Sequence, residues 1–307
     1  MIKKLIGKSH FLFLMAICSI SSTAQIKNEP GFLNAAQNFN SRRFSTVVIS
    51  ESALATITTI GLQYLWYKNF PRSHFHFFND NDEWLNMDKV GHATTAYNIA
   101  AIQYNLMRWS GVNKNSSLWI AGSTALGYMS MIEISDGFSK EWGFSPGDML
   151  ANIAGTAIFA AQQSGWNEQR VQMQFSFHRS IYAKYNPGEL GTTLPQRILK
   201  DYNGQSYWLS FNISSFLGHS NFPKWINANV GYGAEGMTGA VTNPSIVNNK
   251  PIPLFERQRK LFFSVTGAFT TNNNIAYPSW INIFKIPSPV IEWKLKDKKV
   301  KFRPLYF

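Results

Sequence analysis

Cysteine is nearly absent. The 307-residue chain has one, Cys18, and it lies in an N-terminal stretch laid out like a secretory signal. Lys3, Lys4 and Lys8 come first, an apolar run follows from Phe11 to Ile20, and Ser22-Thr23-Ala24 ends it. Cleavage is expected after Ala24, which makes 1–24 a signal peptide and leaves the exported chain without cysteine. Disulfides, thiolate metal sites and cysteine nucleophiles are then excluded there. Lipidation at Cys18 needs small residues just before it, and Met15-Ala16-Ile17 does not supply them.

Charge is also scarce, at 15% of residues, and acid is the scarcer sign: 17 Asp and Glu against 29 Lys and Arg, a net of +12. The surplus is dispersed, with a short run at "KLKDKK" (294–299). Nucleic acid is not an expected partner of an exported chain. A membrane lipid or lipopolysaccharide surface is, because a basic protein is drawn to anionic head groups. Nucleophile-elbow, P-loop, dinucleotide-fingerprint and zinc-protease motifs are missing. So are internal repeats and low-complexity segments.

What is present falls into two textures, which together predict an α+β chain: an apolar helical bundle over 25–165, then an antiparallel β-rich region over 166–307. Four helices are expected in the first part. "STVVISESALATITTIGLQYLWY" (45–67) is a long apolar stretch; a second helix runs from about Glu83 to Trp109, with Leu85, Ala96, Ile99, Ile102 and Leu106 on one face. A third covers 116–134, with Ser116 or Ser117 as its cap. A fourth opens at Ser145 with Pro146 in its first turn and Asp148 three residues after the cap, and ends near Gln163. Residues 45–65 and 117–134 approach membrane-span length but hold polar groups. Membrane insertion and a compact bundle lying against a membrane both remain open.

After residue 170, runs at 171–178, 207–216, 225–233, 260–269, 288–295 and 300–307 alternate aromatic and β-branched residues with others, between Gly, Pro and Asn clusters. They read as strands, and as the only regular structure of note after residue 170. A transmembrane barrel wants longer strands and at least eight of them.

Polar residues on the apolar helices carry the candidate chemistry. Asp88 and His92 are four apart and share a helix face; Glu133 and Asp136 are three apart; Asp148 and Asn152 are four apart. If the three segments pack side by side, the pairs can meet at one level, where burial demands partners or an ion. One reading is a structural polar network, with Asp148 as a cap and Asp88 neutralising Lys89. Another is a functional site. No cofactor is predicted, although one histidine among carboxylates would suit a hard or borderline divalent metal, or general acid–base work on a lipid-like or glycan substrate. The glycine-rich "GYGAEGMTGA" (231–240) reads as a turn or bulge.

"DKVGHATTAY", the acidic stretch "EISDGFSKEWGFS" and "DMLANIAG" together resemble the YfiM-like family of periplasmic lipoproteins, a domain of unknown function. Their order, Asp-Lys-x-x-His, then Glu, then Asp-x-x-x-Asn-x-x-Gly, is also similar to VanZ-like membrane proteins. The resemblance spans roughly residues 80–162. It implies an envelope location, a small helical bundle, and a focus on Asp88, His92, Glu133, Asp148 and Asn152, with no reaction attached.

The leading expectation is therefore an exported envelope protein, periplasmic and outer-membrane-associated, with a non-catalytic scaffold or lipid-contact role. The alternatives are a membrane-surface enzyme working through His92 and nearby carboxylates, and an outer-membrane transport or assembly component.

Overall fold

The computed structural model describes residues 34–64, 71–218, 221–267 and 282–307. The expected signal segment with Cys18, and the ends of two expected elements at 65–67 and 268–269, lie outside the described residues. The chain is α+β: helices precede residue 167 and a six-stranded antiparallel sheet follows.

The helices begin where their caps allow. α1 (Ser41–Leu62) is capped by Asn40, whose side chain accepts the Arg43 amide. α3 (Lys114–Gly137) is capped by Asn113, not by Ser116 or Ser117; the Asn113 side chain accepts the Ser116 amide, so the serine is inside the first turn. α4 (Pro146–Trp166) opens as expected, with the Ser145 hydroxyl accepting the Asp148 amide at 3.1 Å. It runs one turn past Gln163, to Asn167 in the left-handed conformation.

The second helix departs from expectation at its start. α2 is Met87–Trp109, and Glu83–Asn86 form a separate tight turn in which Trp84, Leu85 and Asn86 all have positive φ. Leu85 is therefore not on the helix. Three successive left-handed residues without glycine are strained. The tail holds them: the Trp84 amide donates to Ala240, the Tyr232 hydroxyl to the Leu85 carbonyl, and Arg259 to Asn86.

α2 packs against both α3 and α4, which also touch each other. Tyr97, Ala100, Tyr104, Ala121, Ala125 and Phe159 form their shared core, joined by Met173 of the first strand. Small residues set the spacing. A Cβ on Gly155 would lie 2.0 Å from the Ala93 carbonyl oxygen, so α4 approaches the α2 backbone as only glycine permits. A second cluster joins Trp84 and Met87 to Leu190, Tyr202, Tyr207 and Met237, so helices and tail share a core.

The strands are β1 (Val171–Phe177), β2 (Gln205–Asn212), β3 (Ile226–Glu235), the two-residue β4 (Ile246–Val247) and β5 (Lys250–Pro251), β6 (Gln258–Gly267), β7 (Ser288–Lys294) and β8 (Lys299–Tyr306). The main sheet runs β1-β2-β3-β6-β7-β8, each strand antiparallel to its neighbours. The tail is not strands alone: short helices α5 (Pro187–Leu190), α6 (Leu194–Lys200) and α7 (Ile213–Phe216) interrupt it. Residues 213–216, expected as strand, turn into α7 because Asn212 caps them, its side chain accepting the Ser215 amide.

The sheet is inverted relative to an ordinary soluble one. Its curled inner face is largely polar: Ser176, Ser206, Ser210, Asn227, Asn229, Lys260 and Glu292 are all buried there, around Trp208, Phe262, Val290 and Tyr306. The curl brings Tyr306 of β8 across to Ser206 of β2, 2.8 Å hydroxyl to hydroxyl. The other face is apolar. It rests on α2 near β1 and β2, then continues past the helices. One cross-strand row, Leu209–Val230–Phe263–Ile291–Phe302, is in register from β2 to β8. Its members are 37% to 64% exposed.

Candidate functional site

The first turns of α2 and α4 and the last turns of α3 converge, and each brings polar groups. His92 lies one turn after Asp88 on α2. Its Nδ1 is 3.1 Å from Asn152 Oδ1 and 3.3 Å from Glu133 Oε1. Its Nε2 points the other way, 3.8 Å from Asp88 Oδ1 and 3.9 Å from Asp148 Oδ1. Asn152 and Glu133 are fully buried and Asp148 nearly so; His92 and Asp88 keep a partly open edge, their side chains 15% and 24% exposed. The structure thus brings together five of the six residues singled out from sequence. The sixth, Asp136, is half-buried in the last turn of α3. Its carbonyl accepts the amides of Phe138 and Ser139, and its charge adds to the repulsion on Glu133.

Four further groups complete the centre. The Lys89 ammonium bridges Asp80 Oδ1 at 2.6 Å and Asp148 Oδ1 at 2.8 Å, and sits 3.6 Å from Asp88. Ser145 donates its hydroxyl to Asp80 at 2.6 Å and its amide to Glu133 at 3.4 Å. Tyr202, from the tail, donates to Asp88 Oδ1. In the sequence Lys89 stands out only as a neighbour of Asp88. Asp80 lies in the loop before α2, and Tyr202 is 114 residues from Asp88, so no spacing rule pointed to either. The capping serine was legible, but its second bond was not.

The electrostatics follow from burial. It pushes the Glu133 carboxyl up to about 8, against the pull of His92. Burial, then the charge of Asp88 and the hydrogen bond with Asp80, push Asp148 well above the carboxylate range, with Lys89 opposing. Asp80 is desolvated too, but its hydrogen bonds with Asp148, Lys89 and Ser145 hold it low. The two carboxylates, bridged by Lys89, are thus driven apart, Asp148 upward and Asp80 downward. Burial and the charge of Asp88 raise Tyr202, which keeps its phenol protonated and donating.

Fold and centre define an α+β chain whose three packed helices enclose a histidine–carboxylate cluster. Residues 76–163, which hold that cluster apart from Tyr202, match the family described as "Predicted periplasmic lipoprotein (DUF2279)". The match supports an envelope, periplasmic location. No curated protein and no solved structure gave a significant match to the chain.

Proposed function

We propose that this chain is an exported envelope protein seated at a membrane surface, the outer membrane being the one that fits, where it serves as a scaffold or lipid contact and not as a catalyst. The observation that carries this reading is the exposed apolar row from Leu209 to Phe302. Antiparallel sheets in water put apolar residues inside and polar ones out; strands facing lipid do the reverse. α1 adds to it. Among the described residues it is the one helix long and apolar enough to cross a membrane, by length and composition, and Ile49, Leu54, Ile57 and Ile60 stand exposed along it. The dispersed positive charge suits anionic lipid or lipopolysaccharide head groups.

The near closure of the polar centre favours a non-catalytic role, since Glu133, Asp148 and Asn152 are buried. One observation favours the second reading, a membrane-surface enzyme: the open edge of Asp88 and His92.

Flotation with vesicles of phosphatidylglycerol and lipopolysaccharide tests the proposal. The wild-type protein should float with the vesicles, and the V230S/F263S/I291S variant should stay largely in the soluble fraction. A wild-type protein that remains soluble would overturn the reading. Complementation of a deletion strain by His92→Ala, with the fold verified, separates scaffold from enzyme: rescue supports the scaffold.

A further inference from the structure

The polar centre has the arrangement of a metal site. A metal-bound histidine uses one ring nitrogen for the ion and gives the other to an orienting acceptor. His92 is held in this way: Nδ1 faces Asn152 and Glu133, and Nε2 is left toward Asp88 and Asp148. Metal–nitrogen and metal–oxygen bonds of about 2.0–2.2 Å place two ligands of one ion no more than about 4.2 Å apart. The Nε2 distances of 3.8 and 3.9 Å fall inside that limit. One ligand atom each from Asp88, His92 and Asp148 lie within 4.8 Å of one another.

Two independent features point the same way. Asp148 is 4% exposed, yet its Oδ1, 3.9 Å from His92 Nε2, accepts no hydrogen bond. Groups stranded like this are costly unless something else compensates. Second, even with burial favouring the neutral forms of Glu133 and Asp148, the carboxylates of Asp80 and Asp88 share the single ammonium of Lys89. Asp88 is further fixed by Tyr202, the outer support expected of a ligating carboxylate.

We propose that Asp88, His92 and Asp148 form a binding site for one divalent transition-metal ion of the manganese-to-zinc group, with Asn152, Glu133 and Tyr202 orienting the ligands. One nitrogen and two carboxylate oxygens suit such borderline ions better than calcium or magnesium, which prefer oxygen alone.

Calorimetric titration of the metal-stripped full chain with Zn²⁺, and separately Mn²⁺, tests this. Saturable binding of one ion is expected, with a rise in unfolding temperature. Asp88→Asn and His92→Gln should each weaken binding about 100-fold, and Tyr202→Phe about 10-fold. Asp88 is partly exposed, so its variant keeps the test open should His92→Gln fail to fold. His74→Asn with His76→Asn controls for adventitious binding at the "HFHFF" surface and should change nothing. No saturable binding of either ion, wild-type affinity in the Asp88 and His92 variants, or binding that disappears with His74 and His76 would overturn the proposal.

Discussion

His92 Nδ1 and Asn152 Oδ1, sixty residues apart in the chain, meet at 3.1 Å between α2 and α4. This contact fixes the imidazole plane and turns Nε2 toward Asp88 and Asp148. Asn152→Ala should cost about 1–3 kcal/mol, the usual result of stranding a buried polar partner. The His92→Ala/Asn152→Ala double variant should cost less than the two single changes together, because they share one interaction. Urea unfolding of the four proteins measures it, and strict additivity would contradict the contact.

The approach of α4 to α2 should depend on Gly155 and not on glycine in general. A Cβ at Gly155 meets the Ala93 carbonyl at 2.0 Å, whereas one at Gly127 meets nothing within 4 Å. Gly155→Ala should destabilise by about 2 kcal/mol or more, in the range of an overpacked core. Gly127→Ala should instead stabilise α3 by up to about 1 kcal/mol. Thermal melts compare the two directly.

How far the sequence could be read follows from which forces act locally. Helix and strand periods are local, so the change of texture near residue 170 and all six runs of the main sheet were visible. Ser145 and Pro146 announced α4 through short-range capping. The positive φ of Trp84, Leu85 and Asn86 was invisible, because contacts from Ala240, Tyr232 and Arg259 impose it. The inversion of the sheet was hidden as well: alternation shows two faces but not which is inside. At the centre, helical spacing aligned Asp88 with His92 and Asp148 with Asn152. Asp80 and Tyr202 join through loop placement and tertiary packing, and neither has a periodic signature.

The inner face of the sheet should be sensitive to acid. Burial, then the positive charges of Lys260 and Arg303, push His178 down to about 4, with Glu292 and Glu235 pulling weakly the other way. In the unfolded chain its pKa is ordinary, about 6.5. The unfolded state therefore binds the proton more readily, and stability falls as pH drops from about 6.5 toward 4. His178→Gln should flatten the fall in urea midpoint between pH 7 and pH 5. An unchanged pH profile in the variant would show that His178 does not titrate in this way.

Export makes a prediction about mass. With Ser22-Thr23-Ala24 as the cleavage signal, the protein recovered from the envelope should begin at Gln25 and carry no lipid. Intact-mass measurement checks this. A mature chain starting at a diacylated Cys18 would instead follow the lipoprotein description of the matched family.

The most direct test of the membrane reading uses the near absence of cysteine. In a chain with Cys18 removed, single cysteines at Phe263, Ile291 and Phe302 can carry a spin label, with Ser210 on the inner face for comparison. Relaxation of each label by oxygen, which concentrates in lipid, is compared with relaxation by a water-soluble nickel chelate, in vesicles containing lipopolysaccharide. The account predicts high oxygen and low nickel accessibility at all three outer positions, and low accessibility to both at Ser210. Outer positions that nickel reaches as freely in vesicles as in buffer would contradict it.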